Sequence, residues 1–169
     1  RHTRLQGDWS SDVCSSDLLE TAQDTDEAVR VLERVPVSMC YSVTLLDAAG
    51  QWATVFVAPD RPTEVTRRVA VTNFQKKVEW AQHANATHSV ERLSSLHAHL
   101  DSGGSAQSVA DALLKPPLYQ SSWERGYGTL YSAAYRPRSG RIALFWPGQQ
   151  WLQSLADFSE GERRIQYRK

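Results

Sequence analysis

The chain has 169 residues, 19 of them basic and 19 acidic, with no formal net charge, 41% hydrophobic and 22% charged residues. That balance belongs to ordinary globular proteins. It excludes a basic stripe for nucleic acid and an acidic tail, and no apolar run is long enough to cross a bilayer as a helix, so neither nucleic acid nor membrane is expected as a partner.

Taken in chain order, residues 1 to 18 come first, with Asp8-Trp9-Ser10-Ser11-Asp12-Val13-Cys14-Ser15-Ser16-Asp17-Leu18. They resemble the conceptual translation of a sequencing-library adapter and are expected to lie outside the fold, which then occupies 19–169. There is no initiating Met and no signal-peptide pattern, so the natural N-terminus is expected to be out of view. Asp24-x-x-Glu27 has the form of a capping box, opening a helix through Arg34 with Ala28, Val31, Leu32 and Val35 as its apolar stripe, stopped by Pro36. Tyr41, Val43 and Leu45 alternate with Ser42 and Thr44, and Trp52, Thr54 and Phe56 alternate with Ala53, Val55 and Val57. These period-two runs flank Asp47-Ala48-Ala49-Gly50 and predict a β-hairpin. After a Pro59-Asp60-Arg61-Pro62 loop, Val65 to Val71 reads as a third strand delivering Thr72-Asn73 at its end.

Further on, a helix is expected from near Thr87, with Val90, Leu93, Leu96, His97 and Leu100 on one face, broken by Asp101-Ser102-Gly103-Gly104. A short helix from Ser108 ends at Lys115-Pro116-Pro117. Leu130 to Tyr135 and Arg141 to Trp146 read as a second hairpin, followed by an irregular tail. The class is α+β.

Chemistry-bearing residues are few. His97 and His99 lie two apart on a helix, which points the rings in different directions, and His83 and His88 fall in a polar loop that could border a substrate mouth without a mechanism of their own. No metal and no cofactor are expected. With Cys14 in the excluded segment, Cys40 has no disulfide partner, which permits a reducing, cytoplasmic setting without showing one. Cys40 is expected to be a small buried hydrophobe, because an internal Cys has no free α-amine and this one follows Met39 rather than Gly. Asn73 has carboxamide NH₂ donors that could hold an oxyanion; the competing reading is an Asn that merely turns the chain after a strand.

A wider pattern bears on that choice. Glu27-Ala28-Val29 to Leu32, Pro36, Leu46-Asp47-Ala48-Ala49-Gly50, Val71-Thr72-Asn73-Phe74-Gln75, Ser89-Val90-Glu91-Arg92, Gly128-Thr129-Leu130-Tyr131 through Pro137, and Phe145-Trp146-Pro147-Gly148 follow one another in order over about residues 19 to 168. Together they resemble the isopenicillin-N acyltransferase family of self-processing cysteine hydrolases. The resemblance implies an N-terminal-nucleophile fold, an αββα sandwich shared with choloylglycine hydrolases, of which this chain would be the C-terminal half. It implies a Cys nucleophile uncovered by autoproteolysis in a segment upstream of this sequence, acting on linear amide C–N bonds through an acyl-enzyme. The implied partners are a small-molecule amide or acyl donor and that N-terminal segment of the same precursor. By the same resemblance Asn73 stabilises the oxyanion, and Arg92, in a Ser-x-x-Arg, orients a catalytic group or contacts substrate, against the alternative of a solvated helix Arg beside Glu91. Family members often have Thr-Asn-His where this chain has Thr72-Asn73-Phe74. The alternative for the whole chain is a non-catalytic binding or interaction domain on the same scaffold.

Overall fold

The computed structural model describes residues 18–75 and 81–167, which fall into two compact units that divide at Glu79 and Trp80 in sequence. The class is α+β, with one small antiparallel sheet in each unit.

In the first unit, helix α1 spans Thr25–Leu32 and strands β1 (Tyr41–Leu46), β2 (Trp52–Ala58) and β3 (Arg61–Thr66) form a sheet in the order β1-β2-β3. Asp24 caps α1 as expected, its side chain accepting from Glu27 N–H at 2.8 Å, while Glu27 Oε2 accepts from Gln23 N–H at 2.9 Å. The helix stops at Leu32, two residues short of the expected Arg34. The hairpin register pairs Leu45 with Ala53, Val43 with Val55 and Tyr41 with Val57, so these six share one face of the sheet. Leu32 of α1 packs with Ala53, Val55 and Val57 to form the buried cluster, flanked by Val29, Val37, Tyr41, Val43 and Leu45. Leu18, at the end of the adapter-like stretch, also packs against this cluster, whereas residues 1–17 lie outside the described residues.

Strand β2 departs from the half-buried alternation expected of a hairpin: Ala53, Thr54, Val55, Phe56 and Val57 are all at most 3% exposed. Its second face is covered too, by the chain that follows β3. That third strand is Arg61–Thr66, not Val65 to Val71, because Ala58 pairs with Arg61 directly across the Pro59-Asp60 turn. The strand therefore starts earlier and ends before Thr72-Asn73 is reached.

Asp47 ties the hairpin turn to the start of α1. Its Oδ1 accepts from Gln51 N–H at 2.9 Å, and its Oδ2 accepts from Thr25 N–H at 3.3 Å and the Thr25 hydroxyl at 3.0 Å. Desolvation acts to raise the Asp47 pKa, but hydrogen bonds from Gln51, Thr25 and Gly50 outweigh it and leave the carboxyl below the ordinary aspartate value. A lowered folded pKa means that the stabilisation is present above the unfolded value of roughly 4 and is lost as pH falls through the folded one. Asp47→Asn is therefore expected to lower the urea midpoint near neutral pH, with the gap to wild type closing on acidification. A gap independent of pH would show that the carboxylate charge contributes nothing.

The second unit contains helices α2 (Ala81–Ala86), α3 (Ser89–Asp101) and α4 (Ala106–Ala112), and strands β4 (Ser132–Arg136), β5 (Arg141–Trp146) and β6 (Gln149–Ser154) in the order β4-β5-β6. Helix α2 replaces the loop expected around His83. Strand β6 replaces the start of the expected irregular tail: Pro147-Gly148 closes a two-residue turn with Gly148 at φ 78°, and Trp146 pairs with Gln149. The packed face of α3 is also rotated from the expected one. Ser89 is fully buried and Arg92, Leu93, Leu96, His99 and Leu100 are half-buried, whereas Val90 and His97 are exposed.

Gly128-Thr129-Leu130-Tyr131 is a strap leading into β4 rather than part of the strand. Thr129 N–H donates to Gln120 O at 2.7 Å and Gln120 N–H returns a bond to the Thr129 hydroxyl at 2.9 Å. Leu130 O accepts from both Trp146 Nε1 and Tyr167 Oη, each at 2.8 Å. A Cβ on Gly128 would fall 2.4 Å from carbons of the Trp123 ring. Gly128→Ala is thus expected to destabilise by about 1–3 kcal/mol, through displacement of that ring. Thermal unfolding checks it, and an unchanged midpoint would mean that Trp123 moves aside freely.

Candidate functional site

Asn73 lies seven residues beyond the end of β3, in an irregular segment that covers the second face of β2. Sequence periodicity could not show this, because the segment's place is set by hydrogen bonds from side chains and not by a strand ladder. At one end Thr54, fully buried on β2, donates its hydroxyl to Arg68 O at 2.8 Å. At the other end Gln75, 4% exposed, donates its carboxamide NH₂ to Tyr41 O at 2.8 Å and to Val57 O at 3.0 Å. Val57 sits at the irregularity between Phe56 and Ala58, where the β3 register shifts, and Gln75 supplies its carbonyl with a donor.

Gln75 is itself held from its other side. Its Oε1 accepts from Arg61 Nη2 at 2.5 Å, while Arg61 Nη1 pairs with Asp60 at 3.0 Å. The same Nη2 lies 3.5 Å from Cys40 Sγ. Cys40 is thus half-buried against a guanidinium, which corrects the expectation of a buried hydrophobe. Along the segment, Arg67 stacks over Trp52 with 5.9 Å from guanidinium carbon to ring centroid, and Arg68 over Phe56 with 5.4 Å. Ala70 is buried and Asn73 is exposed. The anchors hold the backbone on either side of the exposed Asn73, whose carboxamide has no hydrogen bond to another described residue.

Arg92 occupies the buried side of α3. Ser89 and Arg92, three apart, share that side, and the Ser89 hydroxyl reaches Ala84 O at 3.5 Å. Arg92 Nε is shielded from solvent without a hydrogen-bond partner among the described residues, and burial pushes the guanidinium below its ordinary pKa. Glu91 turns the other way and pairs with His88 at 3.1 Å. His88 opens the helix in the left-handed region at φ 51°. Asn73 belongs to the first unit and Arg92 to the second, and each is defined here within its own unit.

Of the remaining histidines, His99 lies 3.2 Å from the Ser108 hydroxyl, and His83 lies within α2. Among the described residues no three His, Cys, Asp or Glu side chains come together as metal ligands, and no helix is long and apolar enough to cross a membrane. The residues that the sequence left without a role are Gln75, Arg61 and Thr54. Gln75 stood inside the Val71 to Gln75 motif, but nothing in residue type says that a Gln is buried.

Comparison with known protein families gives a match. The profile of the acyl-coenzyme A:6-aminopenicillanic acid acyl-transferase family covers residues 17–151, well over half of the chain and including the Asn73 segment, Arg92 and the Gly128 strap. No curated protein and no solved structure matched. On the extent of that match, the chain belongs to the acyl-coenzyme A:6-aminopenicillanic acid acyl-transferase family.

Proposed function

We propose that this chain serves acyl transfer from linear amides by way of a cysteine acyl-enzyme, with Asn73 donating to the oxyanion. The observation that carries the reading is the family match spanning the anchored Asn73 segment. In the proposed reaction a thiolate attacks the amide carbonyl and the oxygen gains the negative charge, to which the Asn73 NH₂ donates. The C–N bond then breaks, the departing amine takes a proton from the nucleophile's own α-ammonium, and the acyl group remains on sulfur. Water completes hydrolysis; an amine acceptor completes acyl transfer.

The nucleophile in this proposal is an N-terminal Cys of the same precursor, freed by autoproteolysis and lying upstream of the matched region. The full architecture is then an N-terminal-nucleophile αββα sandwich to which the two small sheets contribute. Cys40 is internal, and its α-nitrogen is a peptide amide that cannot act as the base. The substrate is a small-molecule amide or acyl donor. Arg92, half-buried with a shielded Nε, would hold a carboxylate, either of the substrate or of the catalytic machinery.

Acyl-enzyme trapping tests the reading. The processed full-length protein is mixed with an activated acyl donor, quenched in acid and digested, and mass spectrometry locates the acylated thiol. Acylation of an N-terminal Cys supports the proposal. Acylation of Cys40 overturns the nucleophile assignment, and no acylation with any donor favours a non-catalytic binding domain on the same scaffold. In the same protein, Arg92→Ala is expected to raise the KM of a carboxylate-bearing substrate about tenfold or more, as loss of a charge-assisted pair does. An unchanged KM with a lowered melting temperature would make Arg92 a packing residue.

A further inference from the structure

We propose that Gln75, held by Arg61, is a positioning residue for Asn73, and that with Thr54 it makes a segment outside the strand ladder a rigid mount for the oxyanion donor. This deepens the proposed function and rests on it for the role of Asn73.

An oxyanion donor is effective only when its geometry is set before the charge develops, because reorganisation at the moment of reaction would consume the gain. Regular strands supply such rigidity by ladder bonds. Among the described residues, 67–75 belong to no strand. Two buried polar side chains whose positions bracket Asn73 hold the segment. The Thr54 hydroxyl holds Arg68 O, and the Gln75 NH₂ holds the carbonyls of Tyr41 and Val57, a cross-strand pair at one end of the β1–β2 ladder.

Gln75 reaches both carbonyls because each of its two N–H donors has its own acceptor, and its oxygen is occupied by Arg61. A carboxamide with all three contacts satisfied has one orientation left. Gln75 lies two residues beyond Asn73, so rotation or drift of its backbone is passed directly to the donor. A misplacement on the order of 1 Å at such a group costs up to about 100-fold in rate.

The experiment is a double-mutant cycle in the processed full-length enzyme, read by single-turnover acylation and by backbone ¹⁵N relaxation of residues 70–74. Gln75→Leu keeps the approximate size and removes all three contacts. Thr54→Val loosens the other anchor with little change of shape and serves if the leucine variant folds poorly. Each is expected to lower the acylation rate about tenfold or more with substrate affinity nearly unchanged, and to increase fast motion of amides 70–74. Combined with Asn73→Ala, each is expected to add little further loss, since a mount has no effect once its donor is gone. Full additivity with Asn73→Ala, or unchanged relaxation in a folded Gln75→Leu protein, overturns the inference while leaving the oxyanion role intact. Wild-type acylation by Asn73→Ala overturns the oxyanion role, and the relaxation data still decide whether Gln75 holds the segment.

Discussion

Replacing Asn73 with alanine in the processed full-length enzyme is expected to lower the acylation rate about 100-fold or more. The loss is expected in turnover more than in substrate affinity, because the developing oxyanion uses the donor better than the ground-state carbonyl does. Asn73→Asp retains the shape but puts an acceptor, and a negative charge, where donors stood. It should be at least as harmful. Neither change should impair folding: Asn73 is exposed and its neighbours Ala70 and Gln75 supply the buried contacts, so each substitution should cost no more than about 0.5 kcal/mol. Acylation by Asn73→Ala at the wild-type rate would remove the oxyanion assignment and leave the family membership standing.

What the sequence revealed about this site follows from which forces act locally. The capped helix, the Asp47 to Gly50 turn and the register of the first hairpin are written in neighbouring residues, and the structure has all three. The path after β3 is not local. Val65 to Val71 has strand composition, but its backbone is captured at Arg68 by the Thr54 hydroxyl, and Gln75 just beyond it is tied to Val57 O, across 14 and 18 residues of separation, and a side-chain hydrogen bond of that kind has no period to detect. The same holds for α3. Leu93, Leu96 and Leu100 lie on the packed side as expected, but Ser89 and Arg92 join them in place of Val90 and His97, so hydropathy alone sets the face off by a rotation. Residues that depart from the hydropathy pattern, a buried Gln and a half-buried Arg, are the ones to which the proposed roles attach.

Truncating Leu32 to alanine is expected to cost about 3 kcal/mol of folding free energy. Leu32 is 1% exposed and is the one helix side chain in the buried cluster with Ala53, Val55 and Val57. Those partners lie on a strand enclosed on both faces, which cannot move toward α1 without straining the Thr54 anchor on the other side and the Gln75 bond to Val57 O. The cavity would therefore stay open instead of collapsing, placing the cost well inside the range of about 2–5 kcal/mol for such truncations. Leu32→Met nearly conserves volume and should cost under about 1.5 kcal/mol. Urea denaturation of the two variants beside wild type decides the matter. A cost below about 1 kcal/mol for Leu32→Ala would mean that α1 is not what closes this face of the sheet, and that the rigidity argued for the opposite face must have another source.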